Sequence, residues 1–66
     1  MKITLNGKKK EYFSSLTLEA LLAELGYANK KIAVEVNREI ITRSEQRKKL
    51  VVDGDEIEII IAVGGG

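Results

Sequence analysis

The pattern of apolar residues predicts an α+β domain: a mixed sheet of about five strands packed on one main helix. Three observations carry this. Met1–Asn6 alternates apolar and polar residues; Leu18, Leu21, Leu22 and Leu25 fall at i, i+3, i+4 and i+7; and period-two alternation returns at Ile32–Asn37 and Ile57–Val63. A period of two puts alternate residues on one sheet face, whereas the 3.6-residue period makes one stripe along a helix.

In the first strand Met1, Ile3 and Leu5 share one face, and Lys2, Thr4 and Asn6 the other. Asn6-Gly7 supplies a hairpin turn, because both central residues of a type I′ turn need positive φ. Lys8–Phe13 returns antiparallel, and a two-residue turn places Tyr12 on the face of Met1, while a bulge would place Phe13 there instead; the first register is preferred. Thr17 caps the helix, Glu19 lies in its first turn, and Gly26 suits the left-handed position past its end. Ile32, Val34 and Val36 point inward on the third strand, with Ala33 and Glu35 outward. Asn37-Arg38-Glu39 turns the chain into a short fourth strand around Ile40-Ile41. Thr42–Lys49 is a polar connection with room for one helical turn, and Leu50 is expected to tuck into the core. Asp53-Gly54-Asp55 is a turn signal, and Ile57, Ile59, Ile61 and Val63 then alternate against Glu56, Glu58, Ile60 and Ala62. The order strand, strand, helix, strand, strand, strand is that of a β-grasp. In that fold the first and last strands lie side by side at the centre of the sheet.

Sixty-six residues make one small domain, which buries roughly 60% of its unfolded surface. The expected division is a folded unit over residues 1–63 and a flexible C-terminal glycine tail over 64–66. With no Cys there is no disulfide and no thiolate nucleophile; with no His the usual neutral-pH proton shuttle and commonest metal ligand are missing. Stand-alone catalysis is therefore not expected, nor is a bound metal or cofactor. The longest apolar run, Ile59–Val63, is far too short to cross a bilayer, and no secretion pattern opens the chain, so a cytoplasmic protein without a membrane partner is expected. Eleven basic residues against ten acidic ones give no field that favours nucleic acid.

The basic runs Lys8–Lys10, Lys30-Lys31 and Arg47–Lys49 are expected at turns or connections, as solvated charge rather than a nucleic-acid face, which would interleave aromatics. Asp53-Gly54-Asp55 lacks the further spaced oxygens of a calcium loop. Gly64-Gly65-Gly66 has two readings: a frayed end or severed linker, or a slim arm that threads a narrow channel and offers its carboxylate to an enzyme. A carboxylate is ionised at neutral pH and a poor electrophile, so acyl chemistry there needs activation by a nucleotide-using partner; the chain has no phosphate-cradling loop of its own. Ile60, Ala62 and Ala33 form either ordinary surface variation or a small apolar docking patch beside the arm.

The segments Met1–Gly7, Thr17–Leu22, Val36–Ile41, Asp53–Ile59 and Ala62–Gly66 together resemble the ThiS family, the ubiquitin-like sulfur carriers of thiamin biosynthesis. The resemblance implies a ubiquitin-like β-grasp that acts as a protein co-substrate rather than an enzyme. It implies that the Gly66 carboxylate is adenylated by a ThiF-like enzyme using ATP and converted to a thiocarboxylate with sulfur from a donor system. A ThiG-like thiazole synthase would then take that sulfur, with Gly64 and Gly65 giving slim passage into both active sites. Such sequences often carry proline where this chain has Thr42. Carriers for molybdopterin synthesis and tRNA thiolation share this fold and diglycine end, and a ubiquitin-like modifier or a binding module with an idle tail are the readings from other classes.

Overall fold

The computed structural model describes residues 1–62. Strands β1 (Lys2–Leu5) and β2 (Lys8–Glu11), helix α1 (Leu18–Glu24), strands β3 (Ile32–Val36) and β4 (Glu39–Ile40), helix α2 (Arg43–Gln46) and strand β5 (Glu56–Ile61) follow in that order. The sheet runs β2-β1-β5-β3-β4. β5 is parallel to β1 and antiparallel to β3, so the last strand occupies the centre of a mixed sheet, as a β-grasp requires.

The hairpin turns as its sequence dictates. Asn6 and Gly7 have φ of 48° and 80°, and Lys2 faces Glu11, which sets Met1 against Tyr12. Tyr12 accordingly packs on the core, while Phe13 is fully exposed. The Lys8–Lys10 run lies within β2 rather than at a turn, a correction with a simple cause: β2 is an edge strand whose residues are all exposed, and edge lysines deter pairing with a second chain.

The Thr17 side chain accepts a hydrogen bond from the Ala20 N–H at 3.1 Å, which satisfies one orphan donor of the first turn of α1. Leu18, Leu21 and Leu22 are buried. At the other end Gly26 has φ of 89°, its N–H reaches the Ala23 carbonyl, and the Tyr27 N–H reaches that of Leu22, a Schellman ending. The leucine stripe meets Ile3, Leu5, Val34, Val36, Ile41, Val51, Ile57 and Ile59 in one core. Burial on this scale stabilises by roughly 1.5–3 kcal/mol for each large side chain.

Leu50 does not enter that core. It is 57% exposed, and Val51, fully buried, takes the place. The reason is a pinned backbone: Leu50 bridges Thr17, with the Leu18 N–H bonded to the Lys49 carbonyl and the Val51 N–H to that of Leu16. In extended chain neighbouring side chains point to opposite sides, so Val51 inward sends Leu50 outward.

Two further devices hold β5. Asp55 is 5% exposed; its carboxylate accepts from the Val52 N–H at 2.9 Å and from the Asn37 amide at 3.0 Å. Asn37 in turn accepts from the Glu56 N–H. Asp53 accepts from the Lys2 N–H, so the turn before β5 is tied both to β1 and to the β3–β4 turn. Helix α2 starts at Thr42, where Thr42 and Glu45 form a reciprocal capping box. Threonine here thus caps a helical turn.

Candidate carrier arm and docking face

α1 packs on one face of the sheet, which leaves the other face open. The strand registers assign that outer face. Ala33 sits opposite Ile60, and Glu35 opposite Glu58 on β5 and opposite Ile40 on β4. Ile60 and Ala33 are therefore direct cross-strand neighbours, with Ile60 52% exposed. Ala62 follows two residues later, also exposed, and its N–H bonds to the Lys31 carbonyl at 3.0 Å. All three sequence-derived patch residues thus come together at the end of β5. Ile40, 72% exposed, joins them and was missed by sequence reasoning. Register arithmetic across the tight Asn37-Arg38 turn, carried from the outward Glu35, would have found it.

The end of β5 projects beyond its neighbour. β1 pairs with β5 at Thr4–Glu56 and Leu5–Ile57, and the Asn6 N–H reaches the Ile57 carbonyl. Past that point Asn6 Oδ1 accepts from the Ile59 N–H at 2.7 Å, so a side chain replaces the missing strand. Beyond Ile59 only β3 flanks the chain among the described residues. This explains why Ile61, on the inward side of the alternation, is 52% exposed: it sits past the end of β1. Val63, Gly64, Gly65 and Gly66 lie outside the described residues.

A groove of about 730 Å³ runs between α1, the β3–β4 edge and α2, and Ala33 and Ile40 also line it where it meets the outer face. Its lining includes Ala20, Ala23, Ile32 and Thr42, and the ion pair of Arg47 with Glu19, at 3.2 Å, stands at its rim. It holds no cluster of proton-transfer groups, and no group of residues that could hold a metal ion occurs among the described residues. Among the described residues no helix is long and apolar enough to cross a membrane. Among the described residues two groups titrate away from their ordinary values, both outside the docking face. Burial, then the Glu24 carboxylate, raises the Tyr12 phenol; the Thr42 hydroxyl, then its backbone N–H, lowers the Glu45 carboxyl.

A five-stranded mixed sheet closed by one main helix, whose central last strand carries the chain to a glycine run, defines a ubiquitin-like β-grasp domain. The ThiS family model matches residues 3–66, and the chain belongs to the ThiS family. It is 38% identical to the sulfur carrier protein ThiS of Bacillus subtilis, over 97% of this chain and 98% of that one. The crystal structure of a thiamine biosynthesis protein (ThiS) from Geobacter metallireducens superposes with a TM-score of 0.86 at 35% identity, covering all of both chains. A thiazole synthase of Paramagnetospirillum magneticum is 46% identical across the whole chain, which spans 20% of that relative's length.

Proposed function

We propose that this domain is the sulfur carrier of thiazole formation in thiamin biosynthesis, a co-substrate rather than an enzyme, and that it works where Gly66 is the terminal residue. The observation that carries the reading is the placement of β5: the strand leading to Gly64-Gly65-Gly66 is held between β1 and β3, beside the exposed Ile60–Ala33 pair. A fixed base lets a partner grip the sheet face while the small glycines admit the arm to a narrow site.

The Gly66 carboxylate attacks the α-phosphorus of ATP on a ThiF-like enzyme, and pyrophosphate leaves. Hydrosulfide supplied by the donor system then attacks the acyl carbon, AMP leaves and the thiol proton is lost to solvent, so the sulfur resides on the terminus as a thiocarboxylate. A chain without Cys has no thiol to divert it. The ThiG-like thiazole synthase takes the sulfur into the thiazole ring. The relative from Paramagnetospirillum supports that partner, since a thiazole synthase there includes a stretch similar to this whole chain. ATP is used by the activating enzyme and no cofactor is held by the carrier. Ile60, Ala62 and Ala33 serve as the docking patch.

The test is intact mass after incubation with the activating enzyme, ATP and a sulfur donor. A gain equal to sulfur minus oxygen, absent from a chain lacking Gly66, is expected. A mass that never changes refutes the carrier role, and lysine-linked conjugates would mark a protein modifier instead.

A further inference from the structure

Building on the carrier reading, we propose that Glu35 and Glu58 make the outer sheet face selective for a thiazole synthase surface that presents an arginine beside an apolar side chain. The two carboxylates belong to residues directly opposite each other on β3 and β5. The bonds flanking them, Asn37 N–H to the Glu56 carbonyl and Ala62 N–H to that of Lys31, place this pair among the hydrogen-bonded positions of the ladder, where Cα atoms stand about 5.5 Å apart. Like charges so placed are mutually unfavourable.

Among the described residues, the positions paired with Glu35 and Glu58 or next in line on their strands carry no cation, and Lys9 stands on the edge strand opposite Thr4. Ile40 lies beside Glu35, and the Ile60–Ala33 pair forms the next row. On the other side, Glu56 stands opposite Thr4. The ion pair among the described residues, Arg47 with Glu19, is on the helix side.

The apolar patch and the carboxylates cannot be covered separately, because Ile40 and Ile60 flank the glutamates. A partner that buries the patch also strips water from two anions, which is costly unless it brings a cation. A guanidinium placed between them donates N–H bonds to both carboxylates and offsets their repulsion. An apolar surface without that cation is rejected, which is specificity by an unpaired charge.

The experiment titrates the domain into the ThiG-like thiazole synthase by calorimetry at low and moderate salt. Wild type is compared with Glu35→Gln, Glu58→Gln, the double variant and, as a control, Glu19→Gln on the helix side. Each outer-face variant is expected to bind about five- to tenfold more weakly, the double variant to lose most of the salt dependence, and Glu19→Gln to bind as wild type. Relief of repulsion should also raise the melting temperature of free Glu58→Gln by about 2–4 °C. Outer-face variants that bind like wild type with the same salt dependence overturn the proposal, as does a wild-type domain that does not bind the synthase, or a Glu58→Gln domain that melts lower. Sulfur loading of Gly66 reads separately: loading without glutamate-dependent binding refutes this inference alone, and glutamate-dependent binding without loading refutes the carrier role alone.

Discussion

Replacing Asp55 by alanine tests whether β5 is held by a buried carboxylate that the sequence presents only as a turn residue. The side chain accepts from the Val52 N–H at 2.9 Å and the Asn37 amide at 3.0 Å, in a site only 5% exposed. Hydrogen bonds to a charged group are worth about 1.5–3 kcal/mol each, and losing the cost of burying the carboxylate offsets part of the pair. The expected loss is about 2–4 kcal/mol, against a total stability of roughly 3–10 kcal/mol for a domain of this length. Urea unfolding followed by circular dichroism should therefore show a large fall in midpoint with little change in slope. Asn37→Gly, which tolerates the positive φ of 51° at that position, should be coupled to Asp55→Ala by about 1 kcal/mol or more in a double-mutant cycle. A loss below about 0.5 kcal/mol, within the range of ordinary surface substitutions, would refute the account, because the carboxylate would then contribute no more than the water it displaced.

Val51→Ala should cost about 1.5–3 kcal/mol and Leu50→Ala under about 0.5 kcal/mol in the same unfolding assay, since only Val51 is in the core; the reverse order would restore Leu50 as the buried residue. Asn6→Gly keeps the turn conformation but deletes the bond to the Ile59 N–H, and should lose about 1 kcal/mol and speed hydrogen exchange at Ile59. Thr42→Ala should raise the Glu45 carboxyl towards its ordinary value in an NMR titration, because the Thr42 hydroxyl and N–H hold it down. A depressed folded-state value adds stability above the unfolded pKa and loses it as pH falls through the folded one, so wild type and Thr42→Ala should converge in stability in acid. Ile60→Asp should weaken synthase binding more than tenfold while lowering stability by only about 1 kcal/mol, because its side chain is already half in water; equal losses in both would mean that Ile60 is a packing residue.

Much of the site was legible because strand alternation and turn chemistry are local. Once Asn6-Gly7 takes positive φ at both positions, the register of β2 and the inward place of Tyr12 follow. Ala33 and Ile60 could be assigned outward from period two alone. Their direct pairing depends on which residues of β3 and β5 face each other, and this is settled by contacts far apart in sequence. Leu50 was misread for a related reason: an apolar residue beside another apolar residue has no local signal of which one turns inward, and the bridge to Thr17 decides it.

The sequence by itself determined the helix with its cap and glycine ending, the first hairpin, and the outward parity of Ile60 and Ala33, because each of these rests on neighbouring residues. The tertiary structure decided that Glu35 faces Glu58, that Ile40 borders them, that Asp55 is buried against Asn37, and that β5 outruns β1. Those depend on how strands distant in the chain are set side by side by a shared core, a choice made by packing and hydrogen bonding across the whole domain rather than by any short stretch of it.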